Sequence, residues 1–295
     1  MEVTPQQSSS TTKKWLIGCG IGCGALVIII AILIASGFFF FKNIVDEFKD
    51  TEALMDTLTE RYGRIKDFCP NPDGTISSYR IEAFLDAREA FSSIREKIAR
   101  TFATLSEEEE AIEIERTKPR NVLTMIRLGF GVVPQIAEFI KSRNQALLDF
   151  EMGIGEYYYI YVIAFYSWLG KPPEDGPEFQ IRGPDEDRGP FRYWDREDFE
   201  GNRREWMLRG IHRMILPMLR NQLDKLEERE AAVLPEEWRQ TLAAEVKAME
   251  TDRERLPWQD GVPPAIEESL RPYKSRLEAS YLSMTNPLEL MIEQR

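Results

Sequence analysis

The sequence predicts an all-α fold, with one N-terminal single transmembrane helix followed by a multi-helix soluble domain. Three observations predict it. Residues 15–41 form a run of 27 without one charged side chain. Beyond that run, apolar residues recur at three- and four-residue intervals, the spacing of one helical face. No stretch sustains the period-two alternation that a half-buried strand requires.

The predicted organisation is a short tail over 1–14, a transmembrane helix over 15–41 and a helical first half over 42–169. A Pro/Gly-rich loop over 170–202 and a helical second half over 203–295 complete it. As a helix the run Trp15–Phe41 reaches roughly 40 Å, more than the ~30 Å hydrocarbon core of a bilayer. Lys14 and Lys42 bound it, and Trp15 and Phe38 to Phe41 suit the two interfaces. The run is far longer than the apolar part of a cleaved signal peptide, so it reads as an uncleaved signal-anchor. Leu16-Ile17-Gly18-Cys19 has the letters of a lipoprotein cleavage box, but the apolar run follows that cysteine instead of preceding it. Lys13 and Lys14 abut the membrane, which places the short tail inside and the large domain on the extracytoplasmic side, periplasmic in a bacterium. Gly20, Gly24, Ala31 and Ala35 share one helical face, and the expectation from that face is a weak homodimer.

The net charge is −12. Residues 1–41 carry only Glu2, Lys13 and Lys14, so the acidity belongs to the large domain. Such a surface repels phosphate backbones, and no nucleic acid partner is expected. Cys19 and Cys23 lie in the apolar run, and Cys69 stands alone beyond it. The domain is therefore expected to hold together by its core and not by disulfides.

Residues 43–66 read as an amphipathic helix through Ile44, Phe48, Met55, Leu58, Tyr62 and Ile65. Cys69-Pro70-Asn71-Pro72-Asp73-Gly74 ends it. A second helix over 77–105 carries Ile81, Phe84, Leu85, Phe91, Ile94, Ile98 and Phe102 and forms a hairpin with the first. Ser106 and Glu109 have the spacing of a capping box, predicting a new helix start. Further helices are predicted over 120–131, 134–153 and 155–169. The uncharged, aromatic stretch Tyr157–Leu169 is too short to span a bilayer and reads as the central core helix. After the loop, one long helix carries Trp206, Ile211, Ile215, Met218 and Leu223, with Pro217 as a kink. Pro235 and Pro264 sit where first helical residues belong, and a short helix closes 287–294.

The chemistry that is missing narrows the function. His212 is the sole histidine, so His-rich zinc sites, HExxH proteases and di-iron bundles are excluded. There is no Cys-x-x-Cys pair and no phosphate loop. The turn around Gly74 resembles a calcium loop in outline, but Cys69 and Arg80 occupy two positions where carboxylates are needed. It reads as a turn capping the next helix. No cofactor and no metal are expected, and no stretch carries the signature of a known catalytic site. The expectation is a membrane-anchored interaction protein: a scaffold, adaptor or chaperone-like factor. Its contact residues would be Phe191, Arg192, Tyr193 and Trp194, since aromatic and arginine side chains dominate interface hot spots. The alternative is a small-ligand receptor with an aromatic pocket around Tyr157–Trp168, and behind it an enzyme using carboxylates and tyrosines. Two stretches are idiosyncratic without suggesting an activity: Arg80-Ile-Glu-Ala-Phe-Leu-Asp-Ala-Arg88 and Glu156-Tyr-Tyr-Tyr-Ile-Tyr161.

Overall fold

The computed structural model describes residues 51–113, 121–177, 196–228 and 236–291. The chain divides into two units, Met1–Lys49 and Asp50–Arg295, and every described residue belongs to the second. Among the described residues all regular structure is helical, with no strand. No described helix is long and apolar enough to cross a membrane. The run 15–41, with Gly20, Gly24, Ala31 and Ala35, lies outside the described residues.

Helix α1 (51–62) ends at Gly63, whose amide bonds back to the Thr59 carbonyl. It stops four residues short of the predicted 66, and Ile65–Asp67 forms a separate 3₁₀ turn closed by Arg64 and Asp67. The Pro70–Gly74 breaker follows as expected. Asp73 accepts from the Thr75 amide and hydroxyl, at 2.9 and 2.8 Å. The carboxylate therefore closes its own turn. It does not cap the next helix, whose N-cap residue Ser77 makes no side-chain capping bond either.

The predicted 77–105 helix is two helices, α2 (Ser78–Ala90) and α3 (Ser92–Glu113). The break is Phe91, at φ −110° and ψ 20°. Leaving the helical backbone there sends its buried ring edge-on to Phe139, 5.7 Å away. Conversely, no helix starts at Ser106. Helix α3 runs through it, because a glutamate-rich stretch propagates an existing helix as readily as it begins one. Helix α4 (Asn121–Asp149) likewise runs through Pro134, where two helices were predicted. One missing amide within 29 residues does not end it.

Helix α5 (Ile154–Tyr161) continues directly as a π-helix, Val162–Trp168. Helix α6 (Arg196–Glu228) begins seven residues before the predicted 203 and contains Pro217. Nothing between Arg196 and Arg203 breaks a helix except Gly201. Then come α7 (Glu236–Thr251), α8 (Pro264–Leu270), α9 (Lys274–Ser280) and α10 (Asn286–Met291). The run expected after Pro264 splits because Pro272, lacking an N–H, falls in a 3₁₀ turn between α8 and α9.

Helices α2 and α3 both pack on α4, and α6 packs on α7. Helix α5 touches α2, α4 and α6, so it is the central element. Tyr157 to Tyr166 are all at most 2% exposed, which is the core position the aromatic stretch predicts.

Candidate functional site

The core around α5 is not purely apolar. Arg88 from α2, Arg95 from α3, Arg143 from α4 and Glu289 from α10 are all buried there. Each arginine occupies a helix face that is otherwise apolar. Arg88 follows Ile81, Phe84 and Leu85 at helical spacing, and Arg95 lies between Ile94 and Ile98. Their burial follows from the faces they share, and their charges then need partners inside the protein.

For Arg88 and Arg95, Glu289 is that partner. Its Oε1 lies 3.2 Å from Arg88 Nη1 and 3.6 Å from Arg95 Nε. The Tyr157 hydroxyl donates to Glu289 Oε2 at 2.7 Å and accepts from Arg88 Nη1 at 2.6 Å. Arg88 and Arg95 both donate to the Ser280 carbonyl at the end of α9, where helix carbonyls lack internal partners. The Arg88 guanidinium also lies over the rings of Phe84, Tyr161 and Phe165, 5.1 to 5.5 Å from their centroids. Arg143 donates to the Tyr158 hydroxyl at 2.8 Å and to the Asn144 side chain.

Burial alone would weaken the Arg88 charge, yet Tyr157 and Glu289 hold its pKa above the usual arginine range. Arg95 is less well served: burial first, then the nearby Arg88 charge, pulls its pKa down. The Nε atoms of Arg88 and Arg95 are buried without a hydrogen-bond acceptor. Burial pushes the Tyr157, Tyr161 and Tyr166 hydroxyls well above the ordinary tyrosine value, so they act here as neutral hydrogen-bonding groups.

The π-helix matters to this geometry. With i→i+5 winding, residues five apart sit nearly above one another. Tyr161 and Tyr166 are such a pair, and both hydroxyls donate to Asn286 Oδ1, at 2.8 and 2.6 Å. In an α-helix the same two side chains would diverge around the axis. Glu289 and Asn286 thus bind two successive parts of one aromatic helix from α10.

The two idiosyncratic stretches of the sequence meet in this site. Arg80 forms a bidentate pair with Glu156, at 2.7 and 2.5 Å, and Arg88 contacts Tyr157. Sequence reasoning had no means of finding Glu289 and Asn286. They lie 201 residues from Arg88 and 125 from Tyr161. Phe191, Arg192, Tyr193 and Trp194 lie outside the described residues. His212 donates to the Met249 carbonyl, a bond that joins α6 to α7. Among the described residues no group of three His, Cys, Asp or Glu side chains could hold a metal ion.

Chemically, this arrangement positions side chains against one another. Its carboxylate is matched by two guanidiniums and a hydroxyl, and its phenols are held neutral. Comparisons with protein-family models, curated proteins and solved structures return no match.

Proposed function

We propose that this chain is a membrane-anchored helical interaction protein, tethered by Trp15–Phe41, with its large domain on the extracytoplasmic side. The observation that supports an interaction role is the inward use of the polar chemistry. Glu289, Tyr157, Arg88, Asn286 and His212 are bonded to one another or to backbone, and the aromatic rings of α5 pack on their neighbours at 4.7 to 6.2 Å. That close ring packing favours a scaffold over a small-ligand receptor built around Tyr157–Trp168. The contact surface we assign is Phe191, Arg192, Tyr193 and Trp194. The acidic composition supports a protein partner and disfavours nucleic acid. Gly20, Gly24, Ala31 and Ala35 support weak self-association of the membrane helix.

Affinity capture of the intact protein from its own membrane tests this reading. Trp194→Ala is expected to lose the captured partner while the domain melts at an unchanged temperature. Retention of every partner, or an early melt, rejects the contact surface. A reporter enzyme active only after export, fused at the C-terminus, is expected to be active. Activity of a cytoplasmic reporter in its place rejects the orientation.

A further inference from the structure

Residues Lys171–Pro177 follow the π-helix and contain three prolines in seven positions. Prolines lack a backbone donor, so such a segment can do little to hold itself in place. Its internal backbone bonding is a single turn bond, from the Asp175 amide to the Pro172 carbonyl, and the Lys171 amide ties its start to Phe165. Side chains from elsewhere hold the rest. Asn286 Nδ2 donates to the Pro173 and Asp175 carbonyls, both at 2.9 Å. Arg203 from α6 donates to the Glu174 carbonyl at 2.9 Å and to the Pro177 carbonyl. Tyr281 donates to the Asp175 carboxylate at 2.9 Å, and Arg204 pairs with Glu174 at the same distance. Four of the seven carbonyls are therefore gripped by two side chains.

Asn286 is saturated by this arrangement. Its oxygen accepts from Tyr161 and Tyr166, and its nitrogen gives both protons to the segment. Gly176 completes the fit at φ +158°, with Pro287 and Arg203 so close that a Cβ would stand 2.5 Å from Pro287 Cγ and 2.8 Å from Arg203 Nη1.

We propose that Lys171–Pro177 is a strap that unfastens as one unit while the helical core stays folded, with Asn286 and Arg203 as its two clasps. Apart from the Lys171 amide at its start, the bonds that hold it to the core run from side chains to its carbonyls and carboxylates, and the helices beneath make their own ladders without it. Unfastening uncovers the Asn286 amide protons and the Tyr281 hydroxyl. The strap now meets these donors with its own carbonyls and carboxylate, which are the acceptors a carboxylate- or amide-bearing ligand would bring. This device goes beyond the interaction reading and does not depend on it.

The test is native-state proteolysis of the full chain in detergent, using a protease that cuts before aspartate, with cut sites mapped by mass spectrometry. Cleavage before Asp175 is expected under native conditions, at a rate insensitive to low urea, in molecules whose helical circular dichroism is intact. Gly176→Ala, which crowds the clasp, is expected to raise that rate at least about tenfold. If the bond before Asp175 resists until the urea concentration that unfolds the domain, the strap is part of the core and the proposal fails. Should Gly176→Ala not fold, the urea dependence of the unaltered protein decides alone.

Discussion

The Arg88–Glu289 side of the domain and the Trp238–Trp258 side both join segments far apart in the chain, by opposite means. On the first side, charges from three elements are buried and must match. On the second, Trp238 stacks on Trp258 with centroids 6.0 Å apart and donates its indole N–H to the Pro72 carbonyl at 2.6 Å. Trp258, at φ +55°, is held by its backbone N–H, which donates to the Glu245 carboxylate at 2.7 Å. An aromatic stack loses contact gradually as it is trimmed. A buried ion network loses a whole charge at once, and the surviving partner is left uncompensated. The buried ion network should therefore be brittle and the tryptophan stack graded.

The largest separation between the two sides is expected in alkali. Burial raises the pKa of Tyr157, Tyr161 and Tyr166, whereas in the unfolded chain they ionise at about 10. Their contribution to stability is complete below that pH. It falls as pH rises toward the folded-state values, because only the unfolded chain gives up the protons. Each tyrosine adds a slope of about 1.4 kcal/mol per pH unit, so the three together add about 4 kcal/mol per pH unit. A pH titration is expected to show the buried tyrosinate absorbance rising in one steep step with the loss of helical signal. Absorbance from these groups growing smoothly over intact helices would mean that water reaches them. Tryptophan does not titrate, so the second side has no such step.

Removing the carboxylate is next in size. Glu289→Ala leaves Arg88 and Arg95 buried without a counter-ion, at a cost of about 3–5 kcal/mol. For a domain of this size that lowers the melting temperature by about 6–20 °C, readable by calorimetry. A melt within a degree or two of the unaltered protein would show that the two guanidiniums find water or another anion.

Crowding the tryptophan side should cost less. Gly74 sits at φ +78°, and a Cβ there would stand 2.5 Å from the Trp238 ring. Gly74→Ala is expected to cost about 1–3 kcal/mol, seen as a lower urea midpoint with an unchanged slope. A neutral result would mean that the ring yields freely, and the stack would then not fix the Pro72 turn. Smallest of all, Lys97→Ala breaks an exposed pair with Glu138 and should change stability by no more than about 0.2–1 kcal/mol, an effect lost in high salt.

What could be read from the sequence follows the same division. Apolar stripes announced the helices, the Pro and Gly cluster announced the breaker at Pro70–Gly74, and an uncharged aromatic run announced the central place of Tyr157–Tyr166. The break at Phe91 was hidden, since a buried phenylalanine keeps the stripe whether or not the backbone stays helical. Ser106 misled because a cap signature is also a tolerable helix interior. Arg88, Arg95 and Arg143 were invisible as core residues. Charge on a helix is ordinarily a sign of solvent, and for Arg88 and Arg95 the partner that reverses the sign is a glutamate on the far side of the sequence.

That separation has a consequence in time. A ribosome delivers Arg88 201 residues ahead of Glu289, and at about 5–20 residues per second the interval is roughly 10–40 s. Throughout it the arginines of α2 and α3 have no carboxylate from α10 to close upon, and Tyr161 and Tyr166 have no Asn286. The aromatic centre can gather but cannot lock. Translation order is thereby written into folding order: the part of the domain made first is the part that waits, and the last of the described helices sets the moment at which the rest becomes rigid.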